Sequence, residues 1–144
     1  MSISFDYRGS LFDRLIDDEP YVEEVSPSLL TLNLEEIKFS IYREISWLLN
    51  SNSSHRQEEL DKQDRTCVNY GFPDFSCLFP DSTVDRKKLS KIVAETISKY
   101  EPRLSNIEVE VREGEEDSFS ISLLVGAELN IEEVKEPITF MIAM

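Results

Sequence analysis

Tyr100-Glu101-Pro102-Arg103-Leu104 sets an acid and a guanidinium on either side of a proline. Two chemistries suit such a pair. A carboxylate at the edge of a cleft can serve as a general acid, provided its surroundings favour the protonated form. A planar guanidinium can instead hold carboxylate or carbonyl oxygens in a bidentate grip. A neighbouring arginine favours the charged form of a carboxylate, the wrong form for an acid catalyst. Glycoside cleavage also needs two carboxylates facing each other across a cleft. With 29 acidic residues some pairs are unavoidable, and the spacing singles out none of them.

The other reactive residue types fare no better. His55 is the sole histidine and lies in Ser51-Asn52-Ser53-Ser54-His55-Arg56-Gln57-Glu58-Glu59, a polar run that reads as an exposed loop. Serine or cysteine nucleophiles therefore lack a credible imidazole partner. Asp74, within Phe72-Pro73-Asp74-Phe75, suits a turn acceptor for backbone N–H groups better than a base. Cys67 and Cys77 match no zinc or redox spacing. A disulfide between them is geometrically possible, but two reduced thiols in a cytosolic protein is the plainer reading. No catalytic residue, cofactor site or metal site is assigned, and the chain is expected not to be an enzyme. A peptidoglycan-cleaving muramidase with Glu101 as its acid is the competing class.

Charge narrows the partners. The 144 residues carry a net charge of -14 and a sequence pI near 4.4. Such a surface repels phosphate backbones, anionic cell-wall polymers and anionic lipid, so the expected partner is protein rather than nucleic acid. No apolar run approaches the roughly 20 residues of a membrane span, so direct membrane insertion is not expected. The first residues, Met1 to Leu15, lack a basic head followed by an apolar core, and no secretory signal is read there.

Stepping along the chain, residues 1–31 read as an N-terminal arm and 32–144 as one domain. In the arm, Ser10 to Leu15 suggests a short helical turn with Leu11, Phe12 and Leu15 on one face. That face either caps the core or docks onto a neighbour. Asp17 to Glu24 and Pro27 argue for irregular chain. Asn33 and Glu36 form a capping box ahead of a helix with the stripe Leu34, Ile37, Ile41, Ile45, Leu48, Leu49. Trp47 and Tyr42 lie off that stripe. Residues 50–66 read as a polar loop. Val68, Tyr70, Phe72 and Phe75 then make an aromatic turn packed on the core, with Gly71 in a backbone shape or close approach that a side chain would block. A second helix, from about Asp85 to Tyr100, is capped by Ser82 or Asp85 and ended by Pro102.

Beyond the proline the apolar period changes to two. Ile107, Val109 and Val111 form one strand, and Phe119 to Val125 a second across a glycine-containing hairpin at Glu113–Asp117. Ile138 to Ala143 form a third. The fold class is α+β: two main helices followed by a three-stranded antiparallel sheet, plus the short N-terminal helical arm. A strand at the end of the chain is expected at a sheet edge, where unpaired N–H and C=O groups can accept a strand from another chain. Outward acids, among them Glu108, Glu110, Glu128, Glu132, Glu133 and Glu136, would oppose self-pairing.

Four stretches come in a telling order: Ser10–Leu15, Arg43-Glu44-Ile45-Ser46-Trp47-Leu48-Leu49-Asn50, Asn69-Tyr70-Gly71-Phe72-Pro73-Asp74-Phe75-Ser76, and Tyr100–Leu104. Together, over roughly residues 10–144, they resemble the TssE family of baseplate subunits of bacterial type VI secretion systems. TssE belongs with the baseplate wedge proteins of contractile-tailed phages, often labelled lysozyme-like. The resemblance implies a non-enzymatic structural subunit that joins the wedge to the first sheath ring and initiates sheath assembly. It implies wedge partners of the TssF and TssG type and sheath partners of the TssB and TssC type. It implies a cytoplasmic, bacterial location at a membrane-docked baseplate. The family's Glu-Pro-Arg motif maps onto Glu101, Pro102 and Arg103 as the anchor to the wedge. The strand edge at Ile138, Phe140 and Ile142 and the arm residues Leu11, Phe12 and Leu15 complete the expected partner-binding set.

Overall fold

The capping box at Asn33 is formed. The Asn33 side-chain oxygen accepts from Glu36 N–H at 2.9 Å, and the Glu36 carboxylate accepts from Asn33 N–H at 2.7 Å. It starts a helix over Leu34–Leu49 (α2) whose Ile37, Ile41, Ile45, Leu48 and Leu49 are buried, the stripe read from the spacing. The structure is a computed structural model, and it describes residues 7–16, 21, 31–79, 81–113, 121–131 and 134–144. The chain divides into two compact units, Met1–Glu44 and Ile45–Met144.

In the first unit, Tyr7–Arg8 (β1) pairs antiparallel with Thr31–Leu32 (β2), a ribbon too short for any period to reveal. Leu11–Leu15 (α1) is the short helix of the arm. Ser10 caps it, and its hydroxyl and the Asp13 carboxylate close a reciprocal box. The acidic run expected to be irregular lies outside the described residues, except Tyr21, which is exposed in a turn.

In the second unit the loop over 50–66 is not wholly irregular. Gln57–Leu60 form a short helix (α3), and Leu60 is fully buried. One apolar residue in a four-residue helix leaves no periodic mark, which is why the sequence hides it. A 3-10 turn follows at Cys67–Asn69. The second main helix spans Thr83–Tyr100 (α4), with Ser82 as its cap and Leu89, Val93, Thr96 and Ile97 buried. The lone buried polar side chain of this stripe, Thr96, donates its hydroxyl back to the Ile92 carbonyl at 2.8 Å.

The sheet is antiparallel in the order β3-β4-β5, with β3 at Leu104–Glu113, β4 at Ile121–Ile131 and β5 at Val134–Ala143. The central strand alternates strictly, burying Ile121, Leu123, Val125, Ala127 and Leu129. Leu104 and Val111 of β3 and Ile138 and Ile142 of β5 are buried too, and α4 lies against β3. The last strand starts at Val134, not at Ile138, and runs through Pro137. A proline is tolerated at a sheet edge, where its missing N–H has no ladder partner to lose. Of the expected hairpin loop Glu113–Asp117, Glu113 is the last residue of β3, and the rest lies outside the described residues, as does Phe119.

Candidate partner interface

The turn after α4 is built by the proline and closed by charge. Pro102 cannot continue the helix, and Leu104 N–H donates to the Glu101 carbonyl at 3.2 Å to complete the bend. Glu101 is 5% exposed. Both of its carboxylate oxygens are held by the Arg103 guanidinium, from Nε and from one terminal nitrogen, each at 2.7 Å. Arg103 N–H adds a third bond at 3.3 Å. This is the bidentate geometry a guanidinium offers, formed within the chain itself. The Arg103 side chain remains about a quarter exposed, so the corner presents an arginine face backed by a buried acid. Pro102 is exposed beside it.

The arm helix presents an apolar face to solvent. Leu11 is 70% exposed, Leu15 72%, and Phe12 about half. No residue of α1 is buried, so the helix is held in place by polar contacts. Asp13 supplies them. Its carboxylate accepts from Ser10 N–H and hydroxyl, from the Ser40 hydroxyl at 2.5 Å, and from the Arg43 guanidinium. Arg43 also sits 5.4 Å from the centre of the Phe12 ring, within cation–π range. Burial alone would push the Asp13 pKa up; the hydroxyls of Ser40 and Ser10 and the charge of Arg43 outweigh it and hold the pKa below its usual value. Asp13 and Arg43 carry no site role in the sequence reading, although each sits in one of the quoted stretches. They are 30 positions apart, and nothing in the spacing links them.

The aromatic turn joins the other quoted stretches. Gly71 has φ +114°, and a Cβ there would lie 2.5 Å from the Ser51 carbonyl oxygen. That closeness lets Phe72 N–H donate to Ser51 at 2.7 Å and Ser53 N–H donate to Phe72 at 2.9 Å. Phe72 is buried and meets Phe75 edge to face. Tyr100 meets Tyr70 in the same way, and its hydroxyl donates toward the Asn69 carbonyl at 3.0 Å. Val68 departs from expectation: it is 79% exposed, because the 3-10 turn rotates it away from the packed ring cluster. Asp74 accepts from Ser76 N–H, as a turn acceptor does.

On β5, Ile138 and Ile142 point inward and are buried, and Phe140 is half-buried. Their side chains belong to the core face, so what the strand can offer a partner is its backbone edge and the outward side chains Thr139 and Met141. Among the described residues no group of three or more histidine, cysteine or acidic side chains could hold a metal ion. No described helix is long and apolar enough to cross a membrane. Both cysteines are free and exposed.

Residues 35–133 match the sequence model of the family described as baseplate wedge protein gp25. The chain belongs to the gp25 baseplate wedge family. The TssE-like reading of the four stretches therefore holds at the level of family, and three of the four lie inside the matched region, Ser10–Leu15 lying before it. A solved structure described as the baseplate complex from the type VI secretion system contains a chain with this fold. It aligns with a TM-score of 0.52 at 15% identity, covering 76% of this chain and 95% of that one. No curated protein matches. The gp25-family match stops at residue 133, before β5 begins.

Proposed function

We propose that this gp25-family chain is a non-enzymatic subunit of a contractile injection baseplate, acting in the cytoplasm, that ties the wedge to the first sheath ring and starts sheath assembly. The observation that carries the reading is the wedge-family match over residues 35–133. Residues 1–31 serve as an arm and 32–144 as the wedge-like domain. The corner Glu101-Pro102-Arg103 and the arm face Leu11, Phe12 and Leu15 engage wedge subunits of the TssF and TssG type. The edge of β5 around Ile138, Phe140 and Ile142 takes sheath subunits of the TssB and TssC type. Support for the corner comes from its chemistry: an arginine pinned by a buried carboxylate loses little freedom on binding.

The test must respect the burial of Glu101. Removing Arg103 alone would strand a buried charge, at a cost of about 3–5 kcal/mol to folding. Two variants avoid this: Arg103→Lys keeps the charge and loses the fork, and the double variant Glu101→Gln, Arg103→Gln removes both charges together. Co-purification with the wedge subunits is expected to fall at least about fivefold for both, while circular dichroism and the melting curve stay near those of the parent. Undiminished wedge capture by both variants would overturn the anchor role.

A further inference from the structure

Acidic residues outnumber basic ones 29 to 15, so an arginine that lacks an acid does not lack candidates. Arg43, Arg103 and Arg112 pair with Asp13, Glu101 and Glu110. Arg65, in the loop ahead of the 3-10 turn, is different. Asp61 and Asp64 lie in the same loop and are exposed, yet among the described residues no acid reaches it. Its Nε and Nη1 are shut off from solvent and have no hydrogen-bond partner. Nη2 is not shut off in this way. Most of the guanidinium's N–H donors thus go unused where water cannot replace a partner, which works against folding.

The fold holds this arrangement in place. Asn69 is buried, and its side-chain amide clasps the backbone on both sides of Arg65. It donates to the Asp64 carbonyl at 3.1 Å and accepts from Thr66 N–H at 2.7 Å. The Tyr100 hydroxyl lies 3.0 Å from the Thr66 carbonyl. With the backbone pinned at both neighbours, the Arg65 side chain starts from a fixed base. The same turn exposes Val68 and Tyr70, and the Tyr70 ring meets Tyr100 edge to face at 5.3 Å. Tyr100 directly precedes Glu101, so this surface adjoins the Glu101-Pro102-Arg103 corner. Arginine beside exposed aromatic and apolar side chains is the composition of an interface centre. Two of its nitrogens have already lost their water, so docking strips little more from it, and its charge is weakly screened.

We propose that Arg65 is a second anchor for a wedge subunit, taking one acidic side chain of that partner end-on through Nη2, with Val68 and Tyr70 receiving an apolar neighbour of the acid. The inference rests on the proposed wedge-binding role of the corner and specifies the chemistry of an adjoining contact. A carboxylate suits the site better than a neutral carbonyl, because opposite charge stabilises a desolvated cation most. A single acid on a protein suits it better than a nucleic acid or an anionic lipid surface, whose many charges would meet a chain at net charge -14 around one arginine. A second copy of this chain brings that same charge against itself.

Melting curves of the full chain and co-purification with wedge subunits of the TssF and TssG type test this. Arg65→Met keeps much of the side chain's volume and removes its charge. Its midpoint is expected to rise by about 3 °C or more, since the free chain no longer shuts unused donors away from water. Wedge capture is expected to fall about tenfold in the same variant. An arginine with a merely structural role would move both readouts down together. Arg65→Lys keeps a point charge, enough for an end-on contact, and should capture within about threefold of the parent, whereas Arg103→Lys loses its fork. A midpoint of Arg65→Met that is unchanged or lower would show the donors satisfied in the free chain and overturn the proposal. Undiminished capture by Arg65→Met, where Arg103→Lys has lost it, would overturn this contact and leave the corner standing. Capture that falls as far in Arg65→Lys as in Arg65→Met would overturn the end-on charge contact. Self-association of the parent that Arg65→Met abolishes would assign the acid to a second copy and overturn the wedge assignment. Wedge subunits that fail to bind the parent would overturn the wedge reading and this contact together.

Discussion

At the scale of single residues, Gly71 and Asn106 show two ways a backbone leaves the ordinary regions. Gly71 sits at φ +114° against the Ser51 carbonyl, so it combines a conformation that would strain any side-chain-bearing residue with an absence of space. Asn106, at φ +50°, needs no glycine, because asparagine tolerates the left-handed region, and its side-chain amide donates to Glu128 at 2.9 Å. The two positions therefore respond differently to alanine. Gly71→Ala is expected to cost about 1–3 kcal/mol of strain, with the 2.5 Å contact added to it. The melting midpoint should drop by about 5–10 °C, as a thermal melt followed by circular dichroism would read. An unshifted midpoint would mean that Ser51 to Ser53 move aside at little cost. Glu101 belongs to this scale as well. A muramidase acid must meet a glycosidic oxygen, whereas this carboxylate is buried and has both oxygens on Arg103.

At the scale of elements, what was legible from the sequence is what repeats. The stripe of α2 from Ile37 to Leu49 and the alternation along Ile121, Leu123 and Val125 carry a sustained period and are formed, although Leu34 is only half-buried and β4 continues past the expected Val125 to Ile131. The capping boxes at Ser10 and Asn33 depend on residues only three apart, and both are made; the sequence analysis identifies the one at Asn33. Elements too short for a period escaped: the β1–β2 ribbon, and α3 with its buried Leu60. β5 begins at Val134, four residues before the expected Ile138, and runs through Pro137, whose lost N–H costs no ladder bond at an edge. The candidate site was legible in its local part, Glu101 with Arg103, and hidden in its distant part, Asp13 with Arg43. Polar contacts across 30 positions depend on the folded path and leave no pattern along the chain. The clasp at Asp13 yields its own prediction. No side chain of α1 is buried, so the clasp holds the helix, and tryptic cleavage after the exposed Arg14 reports its release. Asp13→Asn removes charge-assisted hydrogen bonds and is expected to speed that cleavage about tenfold at neutral pH. Because the folded pKa of Asp13 is depressed, its contribution is complete above the usual 3.8 and is lost as pH falls through the lower folded value. Release of the arm in the parent protein should thus appear only in acid below that range, followed by hydrogen exchange at α1. An arm equally tight in Asp13→Asn would assign its placement to something other than the clasp.

At the scale of the whole molecule, the net charge and the sheet edge proposed to meet a partner differ in reach. A net charge of -14 acts over distance, and it is screened beyond about 8 Å at physiological ionic strength. The strand pairing proposed for the edge of β5 would act only in contact and be little affected by salt. A partner with a basic face would thus be drawn in by the first and retained by the second, so the two contributions fall on different rate constants. Raising the ionic strength from about 0.05 to 0.5 M is expected to lower the association rate with sheath subunits about tenfold or more. The dissociation rate should change by less than about twofold. Surface-immobilised chain with sheath subunits in flow separates the two rates directly. A flat association rate would deny charge any part in bringing the partner in, and a dissociation rate that climbs steeply with salt would place ion pairs, rather than strand pairing, at the centre of the joint. Thr139→Pro removes one outward N–H without touching the bonds to β4. In that variant the salt dependence of association should persist while dissociation accelerates, because the steering charges are unchanged and only the contact has been weakened.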